Sequence, residues 1–182
     1  MSGRVRLASV TLLLATGCGA EAEPVALPPA APITVDMAAA SSGGAFRLLD
    51  FGVIEQHAGV RFDVAAASAT GDSHTCVVRA GQEPLPELTL TVTRASIDAA
   101  TFTADVVPEK ATKVSGLGQK AYRRTTSPKG AFGPVAEVGW LAAEGRLATL
   151  RYATARDADR AEAEKLTTAL VALAQGLDTR AI

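Results

Sequence analysis

The stretch "ELTLTVTR", Glu87–Arg94, decides the fold. Leu88, Leu90 and Val92 point one way and Thr89, Thr91 and Thr93 the other, a period of two that a pleated strand satisfies and a helix does not. An apolar row backed by a hydroxyl row specifies an antiparallel strand with one buried and one wet face. Upstream, "TCVVRA" (75–80) is short and β-branched and predicts a second strand, with "ATGDSH" (69–74) as a turn. In "VRFDVAAA" (60–67), Val60, Phe62 and Val64 alternate on one face, which predicts a further strand. Before it, "FRLLDFGVIEQHAG" (46–59) spaces Leu49, Val53, Ile54 and His57 along a helical face, with Asp50 as N-cap and Gly59 as stop.

Downstream, "SIDAATFTADVV" (96–107) predicts a short helix capped by Ser96 and ended by Pro108. "ATKVSGLGQKAYRRTT" (111–126) predicts a strand broken at Gly116 and Gly118, and "SPKGAFGP" (127–134) a loop. "AEVGWLAAEGRLATLRYAT" (136–154) predicts a hairpin around Glu144-Gly145, with Trp140 and Tyr152 as core or sheet-face aromatics. The last segment, "DADRAEAEKLTTALVALAQGL" (157–177), carries Asp159 and Glu162 at capping-box spacing and a stripe of Leu166, Leu170, Leu173 and Leu177. Hairpin-linked strands with helices at both ends predict an α+β domain: an antiparallel β-sheet covered on one face by helices, with a C-terminal helix.

The 182 residues have room for one such domain plus a leader or tail. A formal net charge of −1 offers no basic field for nucleic acid. Apolar residues make up 48% but aromatics only 4%, so the core is built from small side chains and modest stability is expected. Two cysteines are too few for a disulfide scaffold or a zinc ribbon.

The first residues, "MSGRVRLASVTLLLATGC", set Arg4 and Arg6 before an apolar run from Leu7 to Ala15. That run has signal-peptide length and is too short to span a bilayer. "A-T-G-C", Ala15–Cys18, resembles a bacterial lipobox, with alanine where leucine is usual. The resemblance implies cleavage before Cys18 and its lipidation, so the mature chain is tethered to a membrane by acyl chains. An ordinary signal peptide cut near Ala20 is the alternative. "GAEAEPVALPPAAP" (19–32) and "ITVDMAAASSGGA" (33–45) then predict an Ala/Pro-rich tether, extended at about 3.1 Å per residue in its proline-rich part. A short strand at Ile33–Val35 pairing with the domain is a further reading. The expected organisation is a signal peptide over 1–17, a lipidated N-terminus and tether over 18–45, and an extracytoplasmic domain over 46–182.

"F-R-L-L-D" at 46–50, "H-T-C" at 74–76, "V-S-G-L-G-Q-K-A-Y" at 114–122 and the leucine-striped last helix follow one another in that order. Together they resemble the domain-of-unknown-function family of actinobacterial secreted lipoproteins, which shows C-x-L-L, a second cysteine followed by an aromatic, and G-L-G-x-x-A. The resemblance covers Phe46 to Leu177 and implies an envelope location and no established reaction. Phe46 stands at the family's first cysteine and Val78 where its aromatic falls, so the family's disulfide has no counterpart and Cys76 lacks that partner.

Candidate chemistry is sparse. "G-D-S-H", Gly71–His74, resembles the nucleophile block of GDS-type esterases, but no histidine lies downstream to act as base, which favours a polar turn. His74 and Cys76 are two metal ligands where a site needs three or four, so Cys76 reads as a small core hydrophobe. Gly116-Leu117-Gly118 lacks the third glycine of a nucleotide loop. Lys120, Arg123, Arg124 and Lys129 cluster on one strand and loop; beside a plain solvated face, they offer contact with anionic headgroups or a polyanionic wall polymer. These features predict a non-enzymatic, lipid-anchored envelope protein on the outer side of the cytoplasmic membrane, binding a partner or small ligand, with no cofactor. The alternative is a carrier holding a lipid in an apolar groove.

Overall fold

The computed structural model describes residues 48–81 and 83–179, the side chain of residue 144 apart. The predicted leader, Cys18, the tether and Phe46 lie outside the described residues. In chain order the elements are α1 (Phe51–Ala58), β1 (Val64–Thr70), β2 (Ser73–Arg79), β3 (Glu87–Arg94), α2 (Ala99–Thr101), β4 (Thr112–Val114), β5 (Lys120–Thr126), β6 (Val135–Ala142), β7 (Arg146–Ala153) and α3 (Arg160–Gln175). The domain is α+β.

All seven strands join one antiparallel sheet in the order β1–β2–β3–β7–β6–β5–β4. Two meanders, β1–β3 and β4–β7, meet where β7 pairs with β3, Leu90 opposite Leu150. Register puts the predicted apolar row of β3 in line with Cys76 and Val78 on β2, Ala148, Leu150 and Tyr152 on β7, and Ala136, Val138 and Trp140 on β6. All of these are buried; α3 packs across β5, β6 and β7, and α1 packs on α3. Leu166, Leu170 and Leu173 supply the helix side of this layer. Trp140 and Tyr152 both belong to the layer, but Trp140 stands opposite Ala148 and Tyr152 opposite Ala136.

The caps explain where the helices start. Asp50 accepts a hydrogen bond from Val53 N at 3.0 Å, and Asp159 one from Glu162 N at 2.7 Å. Gly59 takes the left-handed conformation, φ 69°, that ends α1.

Two expectations need correction. The strand predicted from Val60 begins at Val64, and Phe62 is buried whereas Val64 is 40% exposed. Val64 pairs with Arg79 while Asp63 N also donates to Arg79 O, so two residues oppose one and the alternation flips, as at a bulge. The helix predicted from Ser96 is capped by Asp98, whose side chain accepts from Thr101 N at 2.7 Å. It makes one α turn and widens into a π turn over Phe102–Val106, where Val107 N reaches Phe102 O. The strand predicted over 111–126 with a break at Gly116 and Gly118 divides there as expected, into β4 and β5.

The π turn packs on the far face of the sheet, where Phe102, Tyr122 and Leu141 form a second small core. The remainder of that face carries the hydroxyl row: Thr89, Thr91 and Thr93, with Ser73 and Thr75 beside them on β2 and Thr149 on β7. Ser73 Oγ and Thr93 Oγ1 lie 2.8 Å apart.

Candidate functional site

β4 is three residues long and pairs only with Ala121–Arg123, so the second half of β5, Arg124–Thr126, has no strand on its outer side among the described residues. A cleft of about 720 Å³ opens there, bounded by the 109–112 segment, the open edge of β5 and the first half of α3. Its walls carry Lys110, Arg123, Arg124 and Arg160, the carboxylates of Glu109 and Glu164, and a set of hydroxyls including Thr125, Thr167 and Thr168.

The charges divide into satisfied and unsatisfied groups. Arg124 Nε and Nη2 grip both oxygens of the buried Glu137 at 2.8 and 3.0 Å, and Tyr122 Oη donates to the same carboxylate at 2.9 Å. This bidentate hydrogen bonding holds the Arg124 guanidinium above its ordinary pKa. Burial, with the Glu137 charge beside it, pushes the Tyr122 phenol up. Arg160 pairs with Glu164 one turn on, both well exposed. Arg123 has no carboxylate partner among the described residues; its Nη1 donates to Thr168 Oγ1 at 3.3 Å. Lys110, exposed at a left-handed φ of 64°, stands at the cleft mouth. Thr167 donates to Ala163 O at 2.8 Å, which leaves Thr125 as the donor in the 3.0 Å contact between their hydroxyls.

The four basic residues singled out above are therefore not one patch. Neighbours on a strand face opposite ways, so Arg123 lies on the helix side of β5 with Ala121 and Thr125, while Lys120 and Arg124 lie on the far side with Tyr122. Lys120 is exposed beside Leu141 and lines a smaller hollow of about 310 Å³ next to Phe102. Lys129 is at a loop tip, bridged to Phe132, with Gly130 at φ 65° in the turn. Arg123 and Arg124 reach the cleft from the two sides of its open strand; Lys120 and Lys129 do not line it. Lys110, Thr167 and Thr168 are cleft residues that sequence reading passed over. Their one signal was a polar pair, Thr167-Thr168, set between Leu166 and Ala169-Leu170 in the apolar half of the last helix.

Other candidates take structural places. Gly71 and Asp72 form the β1–β2 turn while Ser73 and His74 open β2, and Ser73 Oγ bonds to Thr93 rather than to His74. Cys76 is fully buried, and that burial pushes its thiol pKa far up. Among the described residues no three His, Cys, Asp or Glu side chains gather as metal ligands. A Cβ on Gly118 would lie 2.4 Å from Leu141 O, so the glycine of "G-L-G" is needed for close backbone approach as well as for its φ of 55°.

Among family models, curated proteins and solved structures, none matches this chain.

Proposed function

We propose that this chain is a lipid-anchored cell-envelope protein, held through Cys18 on the outer side of the cytoplasmic membrane. In this reading it has no catalytic role and binds an anionic group in the cleft beside β5. The observation that carries the binding site is Arg123: a guanidinium without a carboxylate partner among the described residues, set among hydroxyl donors with Lys110 at the mouth. A planar fork of N–H donors beside threonine hydroxyls suits a carboxylate or phosphate oxygen. The leader resembling a lipobox supports the anchor. The carrier alternative finds less support, because the cleft beside β5 is walled by charged and hydroxyl side chains. The layer between sheet and helices is filled by Phe62, Trp140, Leu150 and Leu170.

Two measurements test the two halves separately. Metabolic acyl labelling should mark the wild-type chain and leave Cys18→Ser unlabelled and released from membranes; a label-free wild type defeats the anchor. For the cleft, titration with citrate or inorganic phosphate should shift the amide resonances of Lys110, Arg123 and Thr168 together. Arg123→Ala should abolish those shifts; shifts that persist in Arg123→Ala defeat the assignment.

A further inference from the structure

The two edges of the sheet are built differently. At one end β4 is short, carries Lys113 and follows the charged Glu109-Lys110 turn, which discourages pairing with another strand. At the other end β1 is seven residues long, "VAAASAT", without charge or proline. Six of its seven residues are exposed, on both faces of the sheet, and only Ala65 is partly covered. Its one strand neighbour among the described residues is β2.

The main-chain groups of this edge follow from the turn. Gly71 at φ 55° and Asp72 form a two-residue connection, so the flanking pair Thr70–Ser73 is a hydrogen-bonded one. Pairs alternate from there: Ala66 and Ser68 address β2, while Ala65, Ala67 and Ala69 turn their N–H and C=O outward. The outward set is symmetric about Ala67. A second β1 running antiparallel, with Ala67 facing Ala67 and Ala65 facing Ala69, matches every donor to an acceptor in about six hydrogen bonds.

From this we infer that β1 is a dimerisation edge, pairing two copies of this chain about a two-fold axis at Ala67 into one continuous sheet. The facing side chains are Ala against Ala, Ala against Ser and Val against Thr, too small to clash on either face. Charge fits as well. Exposed Arg61 and exposed Asp72 lie at nearly equal distances along the chain on either side of Ala67, so the symmetry brings each toward its opposite in the second copy. Asp63, which would otherwise crowd that end, is turned back to accept from Gly81 N. A second copy is the occupant that the small facing side chains and the opposed Arg61 and Asp72 charges favour, and the two-fold makes both contacts twice.

The test uses the full chain with Cys18→Ser and Cys76→Ala throughout, because Cys76 stands opposite Ala67 on β2 and would capture a cysteine placed there within the same chain. Facing Cα atoms in a hydrogen-bonded pair lie about 5.5 Å apart, within disulfide reach. Ala67→Cys should cross-link to itself on mild oxidation, Ala66→Cys should not, and Ala65→Cys should cross-link with Ala69→Cys only when the two are mixed. Sedimentation should show a dimer that Ala67→Lys converts to monomer with an unchanged far-UV circular dichroism spectrum. Mixing Ala67→Lys with Ala67→Glu should restore the dimer. A chain that stays monomeric at all concentrations overturns the proposal, whether the edge is left open or taken by another segment of the same chain. Equal cross-linking of Ala66→Cys and Ala67→Cys overturns it too, as it would signify random collision.

Discussion

Gly139 shows how a single absent methyl organises the far face of the sheet. It stands opposite Tyr122 on β5, and a Cβ there would fall 2.4 to 2.7 Å from the Tyr122 ring and hydroxyl. The ring lies over the glycine, and from that place its hydroxyl reaches Glu137, the carboxylate that Arg124 also grips. Gly139→Ala must push the ring aside, which separates the phenol from a buried carboxylate as well as overpacking the strand. Urea unfolding of Gly139→Ala should show a loss of about 1–3 kcal/mol. Ala148→Gly, on the facing strand but in the other layer, should leave the Tyr122 environment unchanged by tyrosine fluorescence. Gly139 falls inside the strand predicted before Glu144-Gly145, and nothing local in the sequence says why it is glycine, since Tyr122 becomes its neighbour only once register is set.

At the scale of elements, α3 divides its stability between cap and stripe. Asp159→Ala removes the acceptor for Glu162 N at an exposed helix start and should cost about 1 kcal/mol. Leu170→Ala empties a site that is 1% exposed and should cost about 2–5 kcal/mol, so the two variants should separate clearly in chemical denaturation. These features were legible because they are local: a cap and its N3 residue, or leucines at helical spacing, sit within one or two turns of chain. The bulge before β1 was not, because it is defined by Asp63 and Val64 meeting Arg79 on another strand. The opposite facing of Arg123 and Arg124 was legible from the period of two alone. Treating them as one patch weighed sequence proximity above pleat geometry.

For the whole molecule, the α+β class followed from alternation in β3 and the two amphipathic helices. The cleft did not, since Lys110, Arg123 and Thr168 come from three elements and meet only because β4 stops short. The molecule's response to alkali follows from buried tyrosines. Burial, and to a lesser degree the Glu162 charge, pushes the Tyr152 phenol up to about 12. Above pH 10 the unfolded chain releases this proton while the folded one keeps it, so the stabilisation present below pH 10 is lost as pH rises towards 12. That phenol steepens the fall by up to ~1.4 kcal/mol per pH unit. Denaturant titrations from pH 9 to 12 should give a shallower decline in Tyr152→Phe than in the wild type, and parallel declines would contradict this origin.

The strand order sets a condition on when the molecule can exist at all. β7, near the end of the chain, is the strip that joins the two meanders. A chain emerging N-terminus first holds two separate half-sheets whose inner edges, β3 and β6, face solvent until Arg146–Ala153 has emerged. Closure of the sheet therefore waits for Arg146–Ala153, and its slowest contacts are the ones between distant segments.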